Sequence, residues 1–533
     1  VGLLVGFVFA LILLQVTRPD VDDLAARGGY GISPESYDQI KGQLGKSPVI
    51  FWPFSGSYES WLNRRSVTGL VWGGGRITAT LELLFLGGGL ALLITWGLGM
   101  ALGRGQPSTT AARIVIACIA AIPIFWLGVL LIWRFAVQSD WLPAGAHVAF
   151  SENPAQNIRH LLLPIFSIGL VGGASMALEI RTKDEDSPFQ VLMRSLGLMF
   201  RHGGLLISGV IFIELVFSLN GLGRLAFTAA NNADGTVLGA AAAMIIWIAL
   251  WSRLIGNLIL AEIDSVPTQS GNSTAESNSS RAPLIAVGVS VALLAILFVI
   301  PFVSSDDPTV PDLSARFADA GSGYLLGTDQ FGRDIFGRVL HAGRTLAVVV
   351  IPLAALSLAV GSVMAAVRKK IERSGSSNAF YAVEGVLEGL ASVPWLITGI
   401  VVYAAIGHTW PFVALVVILV PRALRVGWNL GAGSRAESMP SNFAIAQIAV
   451  LFLAAAAAMS IGLSFLGSGV VPPRPDLGAD LAASRDYIAS NGRIMITIGL
   501  VASLFTAVWL SMATLTARTT ERYRGVGWAD VMS

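Results

Sequence analysis

Roughly a dozen long apolar runs, six on either side of one hydrophilic serine-rich stretch from Ser265 to Arg281, limit what this chain can fold into. A bilayer core about 30 Å thick needs about 20 apolar residues per helix, and the chain supplies such runs repeatedly. Composition agrees, with 54% of residues hydrophobic and 13% charged, where a soluble chain carries about a quarter charged residues. The expectation is an all-α polytopic membrane protein with about 12 spans.

In the first half the spans are expected near 1–16, 80–103, 113–137, 161–180, 204–218 and 236–260. In the second they are expected near 282–303, 344–367, 379–406, 411–430, 443–463 and 494–517. The opening run is short for a span. A cleaved signal peptide is the disfavoured reading, because no basic region precedes it and no small-residue cleavage site follows.

The domains are therefore a first half at 1–264, a linker at 265–281 and a second half at 282–533, with a long polar segment at 17–78 on the outer side. Lysines and arginines of the short loops set orientation. Arg104, Arg113, Arg181, Lys183, Arg194, Arg201, Arg368, Lys369, Lys370, Arg373, Arg518, Arg522 and Arg524 fall on one side, the expected cytoplasmic one. Both ends of each half then lie inside. The linker has six serines in 17 residues; such a composition buries no core and behaves as a tether of about 23 Å.

Several function classes are excluded or receive no support. A formal charge of +2, scattered over loops, does not point to a nucleic-acid partner. A single cysteine, Cys118, allows no intrachain disulfide and no cysteine-based metal site. His147, His160, His202, His341 and His408 are dispersed, without metal-ligand spacing. Gly45-Lys46-Ser47 ends like a phosphate loop, but Ile40 stands where the first glycine is required. No catalytic constellation and no nucleotide site of the chain's own is expected.

Each half carries a glycine-punctuated phrase after its fifth span: Phe217 to Gly223 (FSLNGLG), containing Gly221 and Gly223, and Leu463 to Gly469 (LSFLGSG), containing Gly467 and Gly469. Their matched placement makes the chain a weak parallel internal repeat. The second half also holds Leu326 to Asp334 (LGTDQFGRD), with Gly327, Thr328, Asp329, Gly332, Arg333 and Asp334, directly before a span. This nine-residue phrase resembles the signature of the second permease of dipeptide, oligopeptide and nickel ABC importers. Gly462 to Pro473 and Ser484 to Tyr487 resemble later parts of the same subunit. Ser33 to Gly45, Asp140 to Pro143, His160 to Pro164 and Glu214 to Leu225 resemble its partner permease.

The resemblance implies a fusion of two type I permease halves in a bacterial or archaeal cytoplasmic membrane. It further implies two cytoplasmic ATPase subunits binding ATP with magnesium, an external solute-binding protein, and no cofactor on this chain. Family members carry a cytoplasmic docking loop with a Glu-Ala-Ala pattern and a following glycine. Here the nearest matches are Val191 to Gly197, containing Arg194, Ser195 and Gly197, and a shortened loop containing Glu437 and Ser438. The rival readings are an ion-coupled carrier of twelve spans and a non-transporting scaffold derived from a permease.

Carboxylates inside spans are costly and must face protein or water, which singles out Glu82, Glu214, Glu384 and Glu388. Glu384 and Glu388 share one helix face, and Arg422 and Arg425 end the next span at similar depth. These four are expected to pair, either as a static tie or in gating. Glu82, near the outer end of its span, is expected to snorkel.

Overall fold

The computed structural model describes residues 75–102, 109–180, 186–232, 234–265, 288–289, 292, 307–321, 323–406, 411–431, 442–470, 472–517 and 528–532. Among these residues the fold is all helical, with one isolated bridge between Thr328 and Asp334. The first half contributes α1 (Arg76–Leu102), α2 (Thr109–Ala120), α3 (Ile124–Leu131), α4 (Pro154–Ala177), α5 (Pro188–Arg201), α6 (Gly203–Val216), α7 (Leu222–Asn231) and α8 (Gly235–Ser265). The second contributes α9 (Ile335–Ser374), α10 (Ser377–Ala391), α11 (Trp395–Ile406), α12 (Pro411–Gly431), α13 (Asn442–Leu463), α14 (Leu477–Ser484), α15 (Ile488–Ala517) and a short α16 (Trp528–Met532).

Among the described residues, seven helices are long and apolar enough to cross a membrane, or up to ten if each of three sharply bent pairs forms one span. The expected run near 1–16, that near 282–303 apart from residues 288–289 and 292, the segment 17–78 up to Gly74 and the linker beyond Ser265 lie outside the described residues. Two expected continuous spans are broken instead. The 113–137 run bends by 80° between α2 and α3, and the 379–406 run by 74° between α10 and α11. Pro123 and Pro394 stand at these breaks; proline has no N–H to donate and its ring clashes with the preceding turn. The 204–218 run is α6 alone, 14 residues or about 21 Å long, set at 63° to α5.

The internal repeat is visible as element order. A long helix, a proline-broken pair, a third helix, a fourth ending in a glycine turn, a short helix and a final long helix occur as α1, α2/α3, α4, α6, α7, α8. They recur as α9, α10/α11, α12, α13, α14, α15. Within each half the first helix packs along the third. Between apolar helices in lipid, close packing replaces the hydrophobic drive, and small residues permit it. Gly169 therefore sits under Leu90, and Gly427 lies against the Gly361 carbonyl so closely that a Cβ would collide with it.

The last helix of each half also reaches the other half. The end of the first half, α7 and α8, packs on α11 of the second, while α15 packs on α2 and α3 of the first. Trp126 donates to the Met495 carbonyl (3.2 Å) across this second contact, and a Cβ on Gly492 or Gly499 would strike the indoles of Trp133 and Trp126.

Candidate functional site

The nine-residue phrase before α9 folds as a self-tied loop. Gly327 (φ +78°) and Gly332 (φ +74°) occupy the left-handed region that favours glycine, and a Cβ at Gly332 would collide with the Asp312 carbonyl oxygen. Asp329 Oδ1 accepts from the backbone N–H groups of Phe331 (2.8 Å) and Arg333 (3.0 Å), while Arg333 Nε donates to Oδ2 (2.7 Å). Thr328 Oγ1 accepts from Ala318 N (2.7 Å) and donates to Ala315 O. Asp334 caps α9 by accepting from Phe336 N and Gly337 N. Arg338, one turn into α9, forks onto Asp480 of α14 and donates to the carbonyls of Pro308 and Pro473. The phrase is thus an architectural knot that fastens α9 to α14. In the same loop the Ser314 hydroxyl, then its N–H, holds the exposed Asp312 carboxyl below the usual carboxylate range.

The first half builds its turn on one buried carboxylate. Glu214 accepts from Thr80 Oγ1 (2.6 Å) and Arg224 N (3.0 Å), and it lies directly against Gly221, where a Cβ would overlap the carboxylate. Gly223 packs with the same intimacy on Ile211. The matching turn in the second half places Gly467 at φ +89° and Gly469 against Ser464. Ser464 there donates to Asp476, the cap of α14 (3.0 Å), and burial pushes the Asp476 carboxyl up. Glu82 does not snorkel: Asn157 donates to it at 3.2 Å, and His147 Nε2 lies at 3.2 Å.

Four aromatic side chains pack together between the halves. Phe125, just after the first break, stacks on Phe465 of the second-half turn, with centroids 4.4 Å apart. Phe212 of α6 lies 5.0 Å from Phe125 and 5.8 Å from Trp395, the first residue after the second break. All four are buried. Phe125, Phe212 and Trp395 border a cavity of about 70 Å³, walled by residues of both halves that include Pro123, Ser175 and Ser208. The Trp395 indole N–H is buried there without a hydrogen-bond partner among the described residues.

A charge node ties the same broken pair to the first half. Glu388 of α10 receives Arg253 Nε (2.9 Å) and Asn257 Nδ2 (2.8 Å) from α8, and Arg425 Nη2 lies 2.6 Å from its other oxygen. Of the four residues expected to group, the structure joins Glu388 with Arg425 only. Arg422 instead donates to the carbonyls of Val393 (3.0 Å) and Ile418 (2.8 Å), bracing the α10/α11 break. Glu384, one turn earlier and half-buried, forms no ion pair among the described residues. Arg253 and Asn257 escaped the sequence reading because they belong to the other half.

This chain is similar to peptide transport system permeases. A peptide transport system permease protein of Brucella suis biovar 1 is 25% identical over 248 residues, covering 41% of this chain and 80% of that protein. One of Brucella abortus (strain 2308) is 26% identical over 265 residues, covering 42% and 81%. A peptide ABC transporter permease protein of Sinorhizobium fredii is 26% identical over 171 residues, covering 27% and 54%. No family model matches the chain. A relative that spends four fifths of its length on about two fifths of this chain leaves room for a second copy, in keeping with the repeated helix order.

The segment matched to a docking loop is α5. Ser187 and Gln190 form a reciprocal capping box at its start, and Trp96 donates to the Pro188 carbonyl (3.0 Å). Arg194 is half-buried and paired with Asp186 (2.8 Å). Ser195 is buried and donates to Val191 O (2.8 Å), and Gly197 lies against Leu260 of α8. Ser195 and Gly197 therefore face the protein, while the exposed surface is the first turn, where Phe189 stands 67% exposed. Its amphipathic pattern carried that signal. Glu437 and Ser438 lie outside the described residues.

Proposed function

We propose that this chain is the transmembrane permease of an ATP-binding-cassette importer for peptides or a related small solute, carrying both half-channels in one polypeptide. The observation that carries this reading is the repeated helix order, with the last helix of each half also reaching the other half and a cavity between the halves bordered by Phe125, Phe212 and Trp395. Two proline-broken pairs, one in each half of a repeated helix order, suit alternating access by rocking of two repeats. The similarity to peptide permeases supplies the solute class.

In this reading the chain hydrolyses no ATP itself. Two cytoplasmic ATPases bind ATP with magnesium, and an external binding protein delivers the solute. The protein sits in the cytoplasmic membrane with both ends inside, and the 265–281 linker acts as a tether. Force enters at the first turn of α5. Gly197 and Arg201 of that helix touch Leu260 and Gly256 of α8, and one turn away Arg253 and Asn257 hold Glu388 at the second-half break. One helix thus relays movement of the docking surface to the segment that ends in Trp395.

A disulfide across the aromatic closure tests the pathway. In a Cys118→Ser background, oxidised Phe125→Cys/Phe465→Cys should abolish uptake and reduction should restore it, with each single variant active. Uptake that persists with the disulfide formed would place the pathway elsewhere.

A further inference from the structure

Beside this cavity a short segment of the chain fills the space between the two halves. Trp528 and Met532 of α16 form part of the cavity wall, and Trp528, Ala529, Val531 and Met532 are all buried. α16 touches α4 and α6 of the first half and α12 and α13 of the second, so it stands as a wedge between the two bundles. It is also held by a polar contact. The Ala529 backbone N–H donates to Glu179 Oε1 at 2.6 Å, and the other oxygen of Glu179 lies 2.8 Å from His202 Nε2, at the α5–α6 joint.

We propose that the space α16 fills, together with the cavity beside it, is a peptide-binding site whose resident ligand is the segment Trp528–Met532, which gates the pathway by competing with the solute. The chemistry fits a peptide of apolar side chains. The walls supply apolar and small groups, and a carboxylate accepts a backbone N–H, a donor that every non-proline residue offers whatever its side chain. A wedge gripping both halves also favours the one arrangement in which all four helices reach it. Bundles that separate or rock must release it, so occupancy and rocking exclude one another. Glu179 sits where that release is sensed, since its second oxygen faces the joint between α5 and α6. Calling the segment a gate rests on the permease reading; calling that space its binding site does not.

Two measurements on the full chain in native membranes, with Cys118→Ser as background, decide the matter without any transport step. First, Glu179→Cys/Ala529→Cys should form an intrachain disulfide under mild oxidation, detected by retained linkage after cleavage at a protease site placed in 518–527. Second, Ser175→Cys in the cavity wall should react slowly with a membrane-permeant maleimide. Removing 528–533, or the milder Trp528→Ser, should raise that rate several-fold, and the synthetic peptide Trp-Ala-Asp-Val-Met should lower it again. Absence of the disulfide while both single cysteines react with maleimide would overturn the proposal. So would an unchanged Ser175→Cys rate in variants present at normal membrane levels. If these occupancy results hold and reconstituted uptake fails, the permease reading falls and the binding site stands.

Discussion

Arg253 of the first half donates to Glu388 of the second at 2.9 Å, a contact bridging 135 residues of sequence. With Arg425 on the other carboxylate oxygen, two guanidiniums share one acid. Removing the acid alone leaves both cations facing low dielectric, a change that costs about 3–5 kcal/mol for a buried pair. Glu388→Gln should therefore lower the thermal stability of the detergent-solubilised protein more than the triple Arg253→Met/Glu388→Leu/Arg425→Met. Additive losses in an Arg253–Glu388 double-mutant cycle would show that the two act separately.

The same node shows what could be read from sequence. Glu388 and Arg425 were legible because each is a charge in an apolar run, and intramembrane charge demands a partner. Arg253 carries the same signal, but nothing local to its run says which helix α8 faces; that is settled by the packing of α8 on α11. Pro123 and Pro394 announced the two breaks and were read through, since apolar composition continues across them. The Leu326 to Asp334 phrase was recognisable as a pattern, yet its role as a knot depends on Asp312, Pro308 and Asp480, which only folding assembles. α16 has five residues of ordinary composition, and its importance lies wholly in where it docks.

Gly332→Ala should be among the most damaging substitutions in the signature loop. It forces a left-handed φ on a residue with a Cβ, about 1 kcal/mol or more, and drives that Cβ into the Asp312 carbonyl. Gly467 has a similar φ but open space around it, so Gly467→Ala should cost only the conformational part. Thermal unfolding of the two variants, measured side by side, checks the order.

Glu214 organises the first-half turn by accepting hydrogen bonds, so the amide isostere should retain part of that role. Glu214→Gln should preserve membrane levels better than Glu214→Leu, which leaves the Arg224 N–H and the Thr80 hydroxyl without their acceptor, about 1–3 kcal/mol for each buried group. Equal levels for the two variants would argue that packing alone holds the turn.

Docking of an ATPase should be reported by the exposed first turn of α5. A cysteine at Phe189 should crosslink to a co-expressed ATPase, while one at Ser195 should not. Gly197→Leu should separate α5 from Leu260 and uncouple ATP hydrolysis from uptake without preventing assembly. Crosslinking from Ser195→Cys but not from Phe189→Cys would reverse the assignment of faces.

The account stands most directly on one measurement: uptake of a labelled dipeptide or oligopeptide into proteoliposomes holding this chain, its binding protein and the two ATPases. Uptake that needs both ATPase subunits and hydrolysable ATP, and that is indifferent to ionophores, is the predicted result. Uptake by the chain alone, abolished when the proton or sodium gradient is collapsed, would contradict it.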